Sequence, residues 1–398
     1  MNVAREYADA VTSQPADYCD YAHYNFEYGS RDRYELIASV GRGKFSEVFK
    51  AYDRKTGEYV SIKQLKPLNR QKMKREIKVM DILRGGPSIL PLLDKLRNPY
   101  EDTPILVTKW VEALPYRKYW SSLSDYELRY YFYQILIGLD YAHSKGIMHR
   151  DLKPGNVLFD YTTKEVFIID WGLASFYNPQ LPSNVRVSTR NYKGPELLLN
   201  DEYYNYSVDM WSFGCIVAGM VFNRLPFFRA HGNDDQLRVI VNVLGTTELH
   251  RYIQKYNLQV NETLIASLGS CRRRDWSEFA SGIDSSHICT ELFDLLDNLL
   301  IYDHQKRFTA RECMQHPYFR EVRERLKGGV LQKSVESREN RVEMKREMNK
   351  KELLGNLRSL KRGLEERAKA EVANGEYQLV STICETLKVV EAEGCEIR

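Results

Sequence analysis

The stretch His149-Arg150-Asp151-Leu152-Lys153-Pro154-Gly155-Asn156 constrains this chain more than any other. It lies between an apolar amphipathic run from Tyr130 to His143, which reads as a helix, and a β-like run from Val157 to Phe159, so it is a loop presented by two regular elements. Within it an acid is followed two residues on by a cation and five residues on by a carboxamide. Those groups suit phosphoryl transfer. Asp151 can accept the proton of an attacking hydroxyl, Lys153 can neutralise the transferring group, and Asn156 can hold a hard cation through its side-chain oxygen.

Partners for that loop occur along the chain in order. From Tyr34 to Val60 apolar and polar residues alternate around Gly41-Arg42-Gly43-Lys44-Phe45-Ser46-Glu47-Val48, which predicts strand, turn and strand. A glycine-rich hairpin lets backbone N–H groups approach phosphates, although alone it is more often only a turn. Val60-Ser61-Ile62-Lys63 predicts a strand ending in a lysine, and Gln71 to Leu83 a helix carrying Glu76. Ile105 to Val107 reads as a short strand, and Thr108-Lys109-Trp110-Val111 as the connection from a small β-rich lobe to a larger helical one. Val166 to Ile169 leads into Asp170-Trp171-Gly172, and Gly194-Pro195-Glu196 follows. Between them Arg186, Arg190 and Lys193 put three cations into a segment that lines the cleft. Val208 to Met220, opened by Asp209, and Leu292 to Ile301 are apolar helical runs, and His316 to Phe319 ends the compact part.

Glycine loop, strand lysine, helical glutamate, catalytic loop, metal aspartate and Pro-Glu anchor in this order resemble the protein kinase family. The resemblance implies an α+β, bilobal protein-kinase fold over residues 34–320, with a β-rich N-lobe of about 34–110 carrying one main helix and a mainly helical C-lobe of about 111–320. Asp170-Trp171-Gly172, Gly194-Pro195-Glu196, Lys74-Arg75-Glu76-Ile77-Lys78, Leu83-Arg84-Gly85-Gly86-Pro87, Gly146-Ile147-Met148-His149-Arg150-Asp151 and Tyr302-Asp303-His304-Gln305 resemble the casein kinase II catalytic-subunit family more narrowly. The tryptophan of the metal motif is the most specific of these. The likeness runs from about Asp17 to Phe319.

That resemblance implies a constitutively active serine/threonine kinase of acidic target sites. It uses ATP and often GTP with Mg²⁺, is joined to a dimeric regulatory beta subunit in a tetramer, and is found in cytoplasm and nucleus. It makes Asp151 the catalytic base with Lys153 on the phosphoryl group, Asn156 and Asp170 the metal ligands, and Lys63 and Glu76 an ion pair. Nucleotide contacts fall on Gly41, Arg42, Gly43, Lys44, Phe45, Ser46, Glu47, Val48, Lys63, Glu76, Lys109, Val111, Leu158 and Ile169. Arg186, Arg190 and Lys193 take an acidic group just after the phosphorylated serine, and Lys72, Lys74 and Arg75 take acids further along. Arginine pairs carboxylates and phosphates bidentately, so two basic clusters suit multiply acidic peptides. The chain departs from the family in Thr108, where a bulky phenylalanine is usual, in Lys109 and Trp110 of the connection, in Gly155, in Asn69-Arg70-Gln71, and in Gln64 on the surface that docks the regulatory subunit beside Tyr34, Leu36, Phe49 and Leu96. Thr108 enlarges the nucleotide pocket.

Composition bounds the rest. Seven scattered cysteines without a Cys-x-x-Cys pair argue against a disulfide framework and a zinc site, and for a reducing compartment. No apolar run approaches about 18 residues, and Met1 to Asp20 has no basic-then-apolar pattern, so a soluble intracellular protein without a membrane segment is expected. A net charge of +4 is nearly balanced and implies no nucleic acid. Residues 1–33 are rich in tyrosine without a clear period and are either a loose tail or an extended strap held on the kinase body by its rings. The tail 328–398 mixes Lys, Arg and Glu, with Leu353, Leu357, Leu360 and Leu364 at heptad-like spacing. It is either a helical hairpin with a binding partner or a solvated helix. The alternative to an enzyme is a catalytically weak kinase-fold scaffold acting through that tail.

Overall fold

The computed structural model describes residues 3–43, 46–67, 69–113, 115–160, 162–328 and 362. The chain divides into two compact units, Met1–Val322 and Arg323–Arg398. The predicted tail, with its leucine series, lies outside the described residues apart from Gly328 and Arg362.

The first unit begins with five antiparallel strands, β1 (Tyr34–Arg42), β2 (Ser46–Asp53), β3 (Glu58–Leu65), β4 (Leu92–Arg97) and β5 (Pro104–Lys109), in the spatial order β1-β2-β3-β5-β4. The pleat sorts neighbours to opposite faces. Leu106 joins the main core, whereas Val107 joins a separate cluster with Ala51, Val60, Ile62 and Leu96. Helix α1 (Arg70–Leu83) covers the first of these faces with Met73, Ile77, Met80 and Leu83 at helical spacing. Asn69 caps it by accepting the Gln71 N–H at 2.9 Å.

The helical part comprises α2 (Tyr116–Tyr119), α3 (Asp125–Ser144), α4 (Pro195–Leu198), α5 (Ser207–Val221), α6 (Asn233–Leu244), α7 (Thr247–Tyr256), α8 (Glu262–Ser267), α9 (Thr290–Leu299), α10 (Ala310–Gln315) and α11 (Arg320–Gly328). Helix α3 starts ahead of the expected Tyr130 because Ser124 and Glu127 form a reciprocal cap, a signal that apolar periodicity does not carry. Every residue of α5 is buried, so it is the axis about which the other helices pack. Two small two-stranded sheets pair β6 (Ile147–Met148) with β9 (Ser175–Phe176), distant in sequence, and β7 (Val157–Phe159) with β8 (Val166–Ile168) as a hairpin. The catalytic-loop stretch runs between β6 and β7. Among the described residues no helix is long and apolar enough to cross a membrane, the five cysteines are free thiols, and no three His, Cys, Asp or Glu side chains form a metal cluster.

Residues 3–30 run over this body, held by single polar contacts. Tyr7 donates to Asp140 (2.8 Å), Tyr18 to the Lys145 carbonyl (2.9 Å) and Tyr24 to Asp81 (2.8 Å), while Tyr18 meets Phe176 edge to face. From α1, Lys78 donates to the carbonyls of Asp17 and Asp20. The segment therefore touches α1 and the strand that follows Asp170-Trp171-Gly172.

Candidate active site

The lysine of β3, which the strand passes by two residues where it was expected to end, is fixed by register: Lys63 lies opposite Val48 on β2 and Leu106 on β5. Its Nζ sits 2.8 Å from Glu76 of α1 and 2.9 Å from Asp170. Burial alone would lower the Lys63 pKa, but the two carboxylates outweigh it and raise it well above the ordinary lysine range. The Asp170 carboxyl is held below its usual range because Lys63 overcomes the opposing effect of burial. Asp170 has a left-handed backbone, φ 64°. Two residues on, a Cβ on Gly172 would press against Glu76 Oε2 at 3.3 Å, so a side chain there would push the Glu76 carboxylate.

Asp151 is held in one orientation by four donors. Its Oδ1 accepts from the Thr189 N–H and hydroxyl, both at 2.7 Å, and its Oδ2 from Lys153 (2.6 Å) and Asn156 Nδ2 (3.2 Å). A carboxylate has about four lone-pair sites, so these contacts fill them. The Thr189 hydroxyl takes the place that a substrate hydroxyl needs, and Lys153 also reaches it at 2.9 Å. Asn156 Nδ2 donates to the Asp151 carbonyl at 2.8 Å as well, which turns the amide oxygen the other way.

The loop backbone hangs from one buried acid. Asp209, on the apolar helix α5, accepts the N–H groups of His149 (2.8 Å) and Arg150 (2.7 Å) and contacts His143 Nε2 (3.0 Å). Burial acts to raise its pKa, but the hydrogen bond and charge of His143 prevail and hold it low. These bonds sustain a left-handed Arg150, φ 65°. The Arg150 guanidinium reaches the Leu173 carbonyl (2.8 Å) and the Tyr204 hydroxyl (2.9 Å). His149 accepts the Asp151 N–H on Nδ1 (3.1 Å) and so carries its proton on Nε2, toward the Ile169 carbonyl (3.0 Å). Trp171 packs edge-on against its ring.

Other expected positions distribute as follows. Gly41, Arg42, Ser46, Glu47 and Val48 form the arms of the β1–β2 hairpin, closed by Gly43 N–H on the Ser46 carbonyl (2.8 Å), whereas Lys44 and Phe45 lie outside the described residues. Thr108 and Val111 are buried, and Leu158 and Ile169 half-buried. The Lys109 side chain turns to Glu165 (3.1 Å) and lies over Phe167. The basic face of α1 does not stand as one surface: Lys72 is exposed, Lys74 donates to the Ala22 carbonyl (2.9 Å), and Arg75 lies over Tyr21 and points at the Gly172 carbonyl (3.5 Å). Arg186 and Arg190 are exposed and Lys193 is half-buried. Burial and the adjacent Arg190 push the Lys193 pKa down. Thr189 and Asp209 are the site residues that periodicity did not single out. The signal for Asp209 was an acid on a helix otherwise nearly all apolar.

The family model for the protein kinase domain matches residues 34–319, well over half of the chain. Such a domain uses ATP and a divalent metal ion. Asp170 and Asn156 fit a hard cation because both offer side-chain oxygens, and so few protein ligands leave positions for phosphate and water. By its family match, five-stranded lobe and helical lobe, this chain belongs to the protein kinase family.

Proposed function

We propose that the chain is a serine/threonine kinase selective for acidic sequence contexts, of the casein kinase II catalytic-subunit type. The observation that carries this reading is the cationic segment beside Asp151: among the described residues no carboxylate lies within ion-pair distance of Arg186, Arg190 or Lys193. Three uncompensated cations flanking Thr189 leave a place for negative charge on the substrate, next to the residue after its hydroxyl. In this mechanism Lys63 orients the nucleotide phosphates, Asp151 takes the hydroxyl proton as the incoming serine or threonine displaces Thr189, and Lys153 neutralises charge on the transferring group. Asp170 and Asn156 would hold a divalent ion, which would supply charge neutralisation at the phosphates.

Constitutive activity follows from Arg150. Where a kinase awaits phosphorylation, such an arginine needs a phosphate partner; here Leu173 and Tyr204 already occupy it. A dimeric regulatory subunit is proposed to dock on β1, where Leu36, Ile37 and Val40 are exposed. Leu96, expected on that surface, is instead 2% exposed and belongs to the lobe's own core. Cytoplasm and nucleus are the proposed locations. A scaffold reading finds no support in the site, where every group the chemistry needs is present and paired.

The test is transfer from ATP to two peptides, one with serine followed by acids and one with serine followed by proline. The acidic peptide is the expected substrate, and Arg190→Ala with Lys193→Ala lowers its kcat/KM by about tenfold or more. Transfer only to the proline peptide refutes the specificity, and transfer to neither returns the scaffold.

A further inference from the structure

Beneath the first residues of the amino-terminal segment lies a cavity of about 30 Å³, open in part to solvent and lined by Ala4 to Tyr7 on one side and by residues of α3, α5 and the His304–Ala310 stretch on the other. Four of its lining side chains each carry a buried polar atom without a protein partner: Glu6 Oε2, Ser207 Oγ, His304 Nε2 and Arg307 Nε. Their chemistry is complementary. Arg307 has already placed both ends of its guanidinium, Nη1 on Glu196 (2.7 Å) and the Ser207 carbonyl (2.8 Å), Nη2 on Glu196 (3.2 Å) and the Ile301 carbonyl (2.9 Å), so only its Nε–H remains. Tyr252 contacts His304 Nδ1 at 3.1 Å, closer than the 3.5 Å to Asp201, and with Tyr252 donating there the ring proton sits on Nε2. Burial holds the His304 pKa down at about 4, so the ring is neutral at ordinary pH. No ion pair joins Glu6 to Arg307 among the described residues, although both line the cavity.

A single water needs roughly 10–15 Å³ of such space and two to four polar partners. We propose that this cavity is an ordered-water site, the water accepting from Arg307 Nε–H and His304 Nε2–H and donating to Glu6 Oε2 and Ser207 Oγ. The site clips the amino-terminal segment to the buried Glu196–Arg307 pair and through Glu196 to the end of the segment that carries Thr189. Around it, Val3 accepts from Gln305 (3.0 Å), Arg5 pairs with Glu312 (2.5 Å) and donates to the Arg307 carbonyl (2.8 Å), and Tyr7 accepts from Tyr206 (3.0 Å). Those direct contacts hold the segment on either side of the cavity.

The inference stands apart from the substrate reading and is tested without activity. Crystals of the full-length chain are expected to show density within hydrogen-bond distance of Glu6 and Arg307; a dry cavity, or a Glu6 side chain turned to solvent, overturns the site. Hydrogen exchange of residues 3–14 supplies the second arm. Glu6→Leu removes the acceptor and is expected to speed exchange about tenfold, whereas Glu6→Gln keeps an oxygen and stays near wild type. Wild-type exchange in the leucine variant, or equal acceleration in both, refutes the clip.

Discussion

Glu196→Gln is the substitution whose cost can be worked most directly from the geometry. Glu196 and Arg307 are both 0% exposed at the side chain, and the guanidinium spans the two carboxylate oxygens at 2.7 and 3.2 Å while lying over Trp211. Glutamine preserves the shape but deletes the charge, and one guanidinium N–H then faces an amide donor. Removing one partner of a buried pair costs about 3–5 kcal/mol, because the other charge stays buried and uncompensated. At about 2–4 °C per kcal/mol for a large domain, Tm falls by roughly 10 °C. Scanning calorimetry at constant pH measures it. The pair is the cause only if removing both charges is milder, so Glu196→Leu with Arg307→Met should recover part of the loss in a double-mutant cycle. A single variant that loses less than about 1 kcal/mol would refute the claim that this pair is desolvated as the distances indicate.

Three further outcomes follow from the site and its supports. Lys63→Met lowers phosphate transfer by at least about 10²-fold, since it removes a preorganised cation, with only a few degrees of change in a thermal scan; wild-type turnover would contradict the assigned role. His304 titrates in the unfolded chain near its ordinary 6.5 but in the folded protein only at about 4, burial being the main cause. The unfolded state therefore binds the extra proton first, and as pH falls from 6.5 toward 4 the fold loses up to roughly 3 kcal/mol. Denaturant midpoints across that window check this, and His304→Gln should flatten the acid side. Deleting residues 1–30 removes the contacts of Tyr18 with Phe176 and of Lys78 with the Asp17 and Asp20 carbonyls, and turnover is expected to drop steeply; an unchanged rate would reduce the segment to a passive cover.

What could be read in advance was whatever local chemistry expresses. The helix holding Glu76, the strand carrying Lys63 and the β7–β8 hairpin that follows the catalytic loop all announce themselves by apolar residues within one element, because burial of a face imposes them; only the end of that strand was misplaced, since it runs two residues past Lys63 to Leu65. Spacing cannot report on partners far along the chain. Lys74 and Arg75 belong by sequence to a basic face, yet they are spent on the Ala22 carbonyl and on Tyr21 and Gly172. A reading of cations by sequence proximity counts charges that the fold has already engaged. The same limit hid Thr189, whose hydroxyl reaches Asp151 from 38 residues away. It also hid the function of the amino-terminal tyrosines, each of which acts through one hydroxyl or one ring at a different distant site and so imposes no period. The uncompensated cations are the informative ones. On that criterion the proposed recognition of acidic substrates rests on Arg186, Arg190 and Lys193 more than on the α1 face, and swapping charge there should alter selectivity more than swapping it at Lys74.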